Sequence, residues 1–448
     1  MEGNVSHQRS NPELIPQAFP DAPPQPVRPT KGRIDSIDLL RGIVMVIMML
    51  DHTRDFVHRD VFQGFDPTDL SHTTVLLFFT RWITHFCAPI FVFLAGTGAY
   101  LQFARGKSKK DLSRFLITRG LWLIVLEFTW IRICVTFNVD YRFLGAMQVI
   151  WAIGVSMIVL AALIHLPLRV VGAFGIAMIV LHNLLDRIHV ASWRGPNSPV
   201  PGYGAKLFII LHQPFEAFPI LGFPSPVVFV LYPLIPWIGV MAAGYAFGVI
   251  YQWDATWRRR FLIRLGSGAV VLFIVLRAIN HYADPAHWSR QDTIAFTILS
   301  FLNTTKYPPS LAFLLMTLGP ALLALAWFES DPESNRVLAG ARAASPQSLI
   351  ARLRGAFVTF GRVPLFFYLL QWPTAHLISV ILHLATGKPV AWMFGSPADF
   401  STRPPPGVGF NLAVVYACWI AGVLLLYPLC KWFAGVKARR RDWWLSYL

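Results

Sequence analysis

Charge is what this chain has least of. Charged residues make up 14% of the 448 positions and hydrophobic residues 55%, whereas soluble domains carry about a quarter charged residues. That balance leaves no room for a separate soluble catalytic domain. Acidic residues are the scarcer sign, 23 Asp and Glu against 39 Lys and Arg, for a net charge of +16. The excess is not spread as a nucleic-acid binder would need. It falls in short runs beside apolar segments, such as Lys107-Ser-Lys109-Lys110, Arg258-Arg259-Arg260 and Arg439-Arg440-Arg441, the pattern of cytoplasmic loops retaining positive charge. No nucleic-acid partner is expected. Cysteine is also rare: Cys87, Cys134, Cys418 and Cys430 all lie inside apolar runs without metal-ligand spacing, so they read as packing residues and no metal is expected. The first 30 residues are polar and Pro-rich with no apolar core, which suits a disordered tail better than a signal peptide. No clear internal repeat is visible, which disfavours inverted-repeat transporter folds.

What the chain does have is long apolar runs. A spanning helix needs roughly 20 mostly apolar residues, and such runs recur at about 37–56, 84–104, 115–136, 144–164, 168–186, 225–250, 262–281, 308–328, 357–385 and 410–434. The expected fold is all-α, a polytopic transmembrane bundle of about ten helices. With both termini cytoplasmic, the loops at 105–114, 251–264 and 329–356 share one side and are rich in Lys or Arg. The expected division is a cytoplasmic Pro-rich tail over 1–32, a transmembrane domain over 33–434 and a basic tail over 435–448. Two short segments are expected to lie outside the spans proper: 73–82 along the outer interface before the chain turns in, and 294–303 as a short outer helix halted by Pro308-Pro309.

A charge at the centre of a spanning helix costs about 2.5–3.5 kcal/mol on insertion scales, so each one asks for a reason. The first span holds most of them, reading Asp35-Ser36-Ile37-Asp38-Leu39-Leu40-Arg41 at its start and Asp51-His52-Thr53-Arg54-Asp55 at its end. Asp38, Arg41, Met45, Met48 and His52 fall on one helical stripe, with Asp51 and Asp55 beside it. One reading makes these ion pairs that mark the two interfaces. The other makes His52 a general base, oriented by Asp51 or Asp55. Arg81, His85, Lys306, Gln371 and His376 belong to other segments but fall at a similar depth.

Six stretches resemble one family: RIDSIDLLRGIVMVIMMLDHTRDF, HFCAPIFVFLAG, QVIWAIGVSMIVLAAL, YPLIPWIGVMAAGYAFG, KYPPSLAFLLMTLGPALL and FGRVPLFFYLLQW. They are similar to bacterial membrane proteins grouped with the catalytic domain of heparan-alpha-glucosaminide N-acetyltransferase, over roughly residues 33–434. The resemblance implies acyl transfer across a membrane, in the eukaryotic relative from cytosolic acetyl-CoA to a glucosamine amine on the other side. The Arg41–His52 spacing also looks like the first helix of bacterial acyltransferases that O-acetylate surface sugars. For this chain the resemblance implies an acyltransferase of the bacterial inner membrane, multi-pass, with acetyl-CoA as co-substrate and a polar envelope glycan as acceptor; a homodimer is compatible with it. Arg41 and Asp38 would serve the CoA, and Arg54, Arg81, His85, Lys306, Gln371 and His376 the acceptor or thioester. The catalytic histidine of the eukaryotic enzyme belongs to its first non-cytoplasmic loop, so His72 and then His58 stand behind His52. Gln371 occupies a position where relatives often carry His. A transporter or flippase for a polar or lipid-linked substrate is the alternative, and an idle scaffold the third reading.

Overall fold

The computed structural model describes residues 34–329, 349–399, 404–440 and 442–447. The Pro-rich tail expected over 1–32 and most of the loop 329–356 lie outside these. The first span forms α1 (Asp35–Val57). It packs against helices from both halves of the chain: α3 (Val75–Thr84), α4 (Cys87–Ala104), α13 (Leu311–Phe328), α14 (Leu349–Arg362), α15 (Pro364–Ala385) and α16 (Leu412–Arg439). That central position explains how a helix so rich in ionisable side chains stays in the bundle, because its polar groups meet protein rather than lipid.

Close contact is built on glycine. A Cβ placed on Gly42 would fall 1.7 Å from the Phe357 carbonyl oxygen, and one on Gly361 would fall 1.8 Å from that of Asp38. Removing both side chains lets α14 cross the N-terminal part of α1 backbone to backbone, the small-residue packing that membrane helices use in place of a hydrophobic drive. Two indole donors fasten neighbouring helices: Trp419 Nε1 donates to the Val46 carbonyl at 2.8 Å and Trp130 Nε1 to that of Leu369 at 2.8 Å.

Seven helices among the described residues are long and apolar enough to cross a membrane: Val75–Ala104, Leu168–Arg187, Leu234–Gln252, Ala255–Ile279, Leu311–Phe328, Pro364–Ala385 and Leu412–Arg439. The other three expected spans correspond to α1, to α5 (Lys109–Leu126) running through a π turn into α6 (Arg132–Thr136), and to α7 (Val149–Leu163). The first two carry more charge than the seven, and the third is shorter. The helices carry broad exposed apolar faces, with Val271, Leu272, Ile274 and Val275 on α11 (Ala255–Ile279) and Leu424, Leu425 and Leu429 on α16. Such faces are stable against lipid tails and not against water.

Several boundaries differ from the sequence reading. The span expected at 357–385 is broken at Val363–Pro364 into α14 and α15, since proline disfavours a helical residue before it. The expected turn before span two is absent: at His85 and Phe86 the backbone stays right-handed helical (φ −62°, ψ −27° and φ −66°, ψ −22°), so α3 runs on into α4 with a local break. The apolar starts of two spans are strands. β1 (Phe143–Met147) precedes α7, and β3 (Val227–Val230) precedes α10 (Leu234–Phe247). With β2 (Glu216–Pro219) they form a sheet in the order β1-β3-β2, parallel between β1 and β3 and antiparallel between β3 and β2. Trp193, Ile209, Phe218, Val227, Val228 and Val230 make a separate small core there. It also takes in α9 (Tyr203–Leu211), beyond α8 (Leu168–Leu181). The helix expected near 294–303 is present as α12 (Ile294–Leu302).

Candidate functional site

The stripe on α1 divides into three levels. At the first, Arg41 donates to Asp38 Oδ1 at 3.3 Å and to the Gly361 carbonyl at 3.4 Å. Arg41 also stands at the mouth of a cavity of about 390 Å³, within the usual range for small-molecule pockets. Arg119, Arg362 and Lys437 line it as well, so four cationic side chains from α1, α5, α14 and α16 border one cavity. Farther in, the walls turn apolar with Met45, Met48, Leu123, Ile150 and Leu365, and Tyr368 also lines the cavity. Arg41, Met45 and Met48 of the expected stripe therefore face one cavity.

His52 belongs to the second level and is not among the residues lining that cavity. Its ring lies edge-on to Tyr368 at 6.3 Å between centroids and stacks on Trp372 at 3.8 Å with an interplanar angle of 27°. The imidazole is 9% exposed and its Nδ1 has no hydrogen-bond partner. Neither Asp51 nor Asp55 hydrogen-bonds to it, so the structure does not assemble the His–carboxylate pair expected from their adjacency. Other buried polar atoms in this part of the bundle are also unpartnered: both side-chain atoms of Gln371 and Nδ1 of His85. A buried polar atom left without a partner costs about 1–3 kcal/mol, and such atoms gather where a ligand or water completes the bonding.

At the third level Asp51 is the hub. Arg81 donates to its two carboxylate oxygens at 2.7 and 2.6 Å, Arg54 pairs with it at 2.9 Å, and the Lys306 ammonium stands 3.9 Å away. Arg54 also reaches Asp55 at 2.6 Å. Three cations against two carboxylates leave this group electropositive, and His85 lies within its electrostatic reach. Thus Asp51, Arg54, Asp55, Arg81, Lys306 and His85 do converge, although they are distributed from residue 51 to residue 306.

The remaining candidates sit elsewhere or do other work. His376 is clamped between Phe137 and Phe56, with centroids 3.8 and 4.6 Å away, and its Nδ1 bonds the Cys134 carbonyl at 3.0 Å. That is a packing environment. His72 is in an exposed loop, against Ser71 Oγ at 2.7 Å and Asp69 Oδ2 at 3.3 Å, with its ring stacked on Phe65. The Ser71 hydroxyl and backbone hold the Asp69 carboxyl below its ordinary range. His58 is buried where α1 ends and stands 3.8 Å from Asp60.

Two buried residues add to the sequence reading: Tyr368, which lines the cavity, and Glu127, which does not. Glu127 is 2% exposed, opens the π turn Glu127–Ile131, and accepts from the Trp151 backbone N–H at 3.1 Å while its Oε1 has no partner. It lies within electrostatic reach of Tyr368. A lone carboxylate inside the apolar run 115–136 was the available signal, since such a residue is a functional candidate by default, and π turns concentrate at functional sites. Tyr368 carried no such signal, being one aromatic among many.

No curated protein matches this chain. The family described as heparan-alpha-glucosaminide N-acetyltransferase, catalytic, matches residues 33–276. That stretch is more than half the chain and holds α1 through most of α11, including Arg41, Asp51, His52, Arg81, His85 and Glu127, while Lys306, Gln371 and His376 lie beyond it. With its apolar helices and buried polar layer, this multi-pass membrane protein belongs to the heparan-alpha-glucosaminide N-acetyltransferase catalytic-domain family.

Proposed function

We propose that the protein transfers an acyl group, in the first instance acetyl, from acyl-CoA to a hydroxyl or amine of a polar glycan on the opposite face of the bacterial cytoplasmic membrane. The observation that carries this reading is the single cavity that starts among Arg41, Arg119, Arg362 and Lys437 and reaches Met48 and Tyr368. A cationic rim suits the phosphates of the nucleotide, and an apolar interior suits the pantetheine arm. From Arg41 to His52 the helix rises about 16 Å at 1.5 Å per residue, comparable to the reach of that arm.

In this scheme the thioester comes to rest beneath the His52–Trp372 stack. The acceptor approaches from the side of the Asp51 cluster, where Arg81 and Lys306 supply the positive field for the developing oxyanion. His52 takes the proton from the acceptor O–H or N–H as the heteroatom attacks the carbonyl carbon. The carbon–sulfur bond then breaks, the His52 imidazolium returns its proton to the departing sulfur, and CoA leaves through the cavity as the thiol. Gln371 does not disable this route, because the base in this scheme is on α1 and Gln371 need not take a proton.

Detergent-purified protein titrated with acetyl-CoA tests the donor half. Saturable binding that Arg41→Ala and Arg119→Ala weaken, together with His52-dependent acetylation of a glycan extract, is the expected result. Absence of acetyl-CoA binding by folded protein overturns the proposal. Uptake of a polar solute lost in His52→Ala, with acylation unchanged, would favour a transporter instead.

A further inference from the structure

The geometry points to a binding site for a divalent transition metal ion, formed by His182, Asp186 and His212 where α8 ends and the small sheet-bearing unit begins. His182 and Asp186 are four residues apart in the 3-10 segment His182–Arg187, and His212 terminates α9. One potential ligand atom from each lies within 4.8 Å of the others. Ligands at about 2.0–2.1 Å around a tetrahedral zinc are roughly 3.3 Å apart, so a modest inward rotation of the side chains closes the site.

A second observation separates this group from an ordinary buried histidine pair. His182 is 2% exposed and neither of its ring nitrogens makes a hydrogen bond of normal geometry, although the Pro309 backbone is close enough to act on it. His212 is 3% exposed; its Nε2 meets Asp186 Oδ1 at 3.0 Å, and its Nδ1 has no partner. Two buried imidazoles retaining unused nitrogens beside one carboxylate is a donor set poor for magnesium or calcium, which take oxygen ligands, and good for zinc. The support around it suits a ligand set too. Asn183 donates to Asp186 Oδ2 at 2.7 Å, fixing the carboxylate, and accepts from the Leu311 backbone N–H at 3.0 Å, which ties the turn to α13. Such outer hydrogen bonds orient metal ligands.

Binding would displace the proton shared between His212 and Asp186 and replace that single hydrogen bond with coordination to three side chains. The effect is a clamp between the end of α8 and the end of α9, holding the unit that carries β2 and β3 against the helices. None of the three residues belongs to the cavity or to the Asp51 cluster, so the metal site stands apart from acyl transfer.

The test uses the full-length protein purified in detergent through a tag without histidine. Metal content is measured by mass spectrometry, and the chelator-stripped protein is titrated with zinc chloride while its unfolding temperature is followed. Expected are about one zinc per chain and a rise in unfolding temperature with zinc that magnesium does not produce. Asp186→Asn and His212→Gln should weaken zinc binding at least tenfold, while His281→Ala, an exposed histidine elsewhere, should leave it unchanged. Should the site variants fail to fold, the stripped wild-type protein loaded with cobalt still decides: visible ligand-field bands of a low-coordinate nitrogen–oxygen site support the inference, and a spectrum matching aqueous cobalt overturns it. Stripped protein that takes up no zinc at micromolar concentration, or site variants that bind it as tightly as wild type, overturn it equally.

Discussion

Trp372 lies nearly flat on His52, ring centre to ring centre 3.8 Å, although the two belong to helices separated by more than 300 residues of chain. The indole fixes the plane of the imidazole where no carboxylate does so. Holding a base in one orientation is what the third member of a catalytic triad ordinarily contributes, and under the proposed mechanism packing would take over a role usually given to a hydrogen bond.

If His52 is the base, His52→Ala should lower acyl transfer by about 10²- to 10⁴-fold with little change in unfolding temperature. Trp372→Leu keeps most of the volume and removes the stack. It should lower kcat with a smaller change in KM for acyl-CoA. Steady-state kinetics on both variants check this, and equal effects on KM and kcat would count against an orienting role.

Asp51 answers to three cations, so its removal should be strongly destabilising. Asp51→Ala leaves Arg54, Arg81 and Lys306 confronting one another in a buried setting, and breaking a buried pair from one side costs about 3–5 kcal/mol. Reversible unfolding in mixed micelles should show that loss. The double variant Asp51→Ala, Arg81→Met should be less destabilised than the sum of its parts, because the orphaned guanidinium goes with its partner.

At the cavity mouth, cationic side chains should matter to the nucleotide end of the donor alone. Arg119→Ala and Lys437→Ala are expected to raise KM for acetyl-CoA by several-fold, with kcat nearly constant. Acetyl-pantetheine, which lacks the nucleotide, should be used equally by variants and wild type. Added salt should narrow the difference between the two donors.

Asp284 offers a pH signature outside the spanning helices. It is 6% exposed and accepts from the Ser310 hydroxyl at 2.6 Å, the Thr305 hydroxyl at 2.9 Å, and the Thr305 and Ala286 backbone N–H groups at 3.0 and 2.9 Å. Burial nevertheless outweighs those donors and lifts its carboxyl above the ordinary range. The folded protein therefore holds this proton more tightly than the unfolded chain does, so stability is greatest below the unfolded pKa and falls as pH rises through the raised value. Asp284→Asn should remove that decline, as read from unfolding temperatures between about pH 4 and 7.

Much of this was legible in the sequence, and the failures have physical causes. Apolar runs located the spanning helices, and the ionisable residues of α1 announced a helix that faces protein. The break at Val363–Pro364 leaves no mark in the hydropathy, because the apolar residues resume directly after it. β1 and β3 were absorbed into spans because Leu144 to Met147 and Val227 to Val230 are as apolar as the helices they lead into. The convergence of Asp51, Arg81 and Lys306 could be anticipated from depth alone, whereas the absence of a carboxylate on His52 could not. Asp51 and His52 are consecutive residues, which a helix turns about 100° apart, and the carboxylate turns to the nearer cations. His182 and His212 are 30 positions apart, and only the folding of the unit between them brings their rings to 5.6 Å.

The placement of α1 at the middle of the bundle has a consequence for how the protein is made. This helix is synthesised well before several of its contacts: Lys306 and the Gln371–Trp372 pair follow some 250 to 320 residues later. Its aspartates and arginines meet their nearest partners early, since Asp38 pairs with Arg41, Asp55 with Arg54, and Asp51 with Arg54 and Arg81, whereas the Lys306 and Trp372 contacts come late. Those near-neighbour pairs lower the cost of holding the helix in the membrane before the last helices arrive to enclose it.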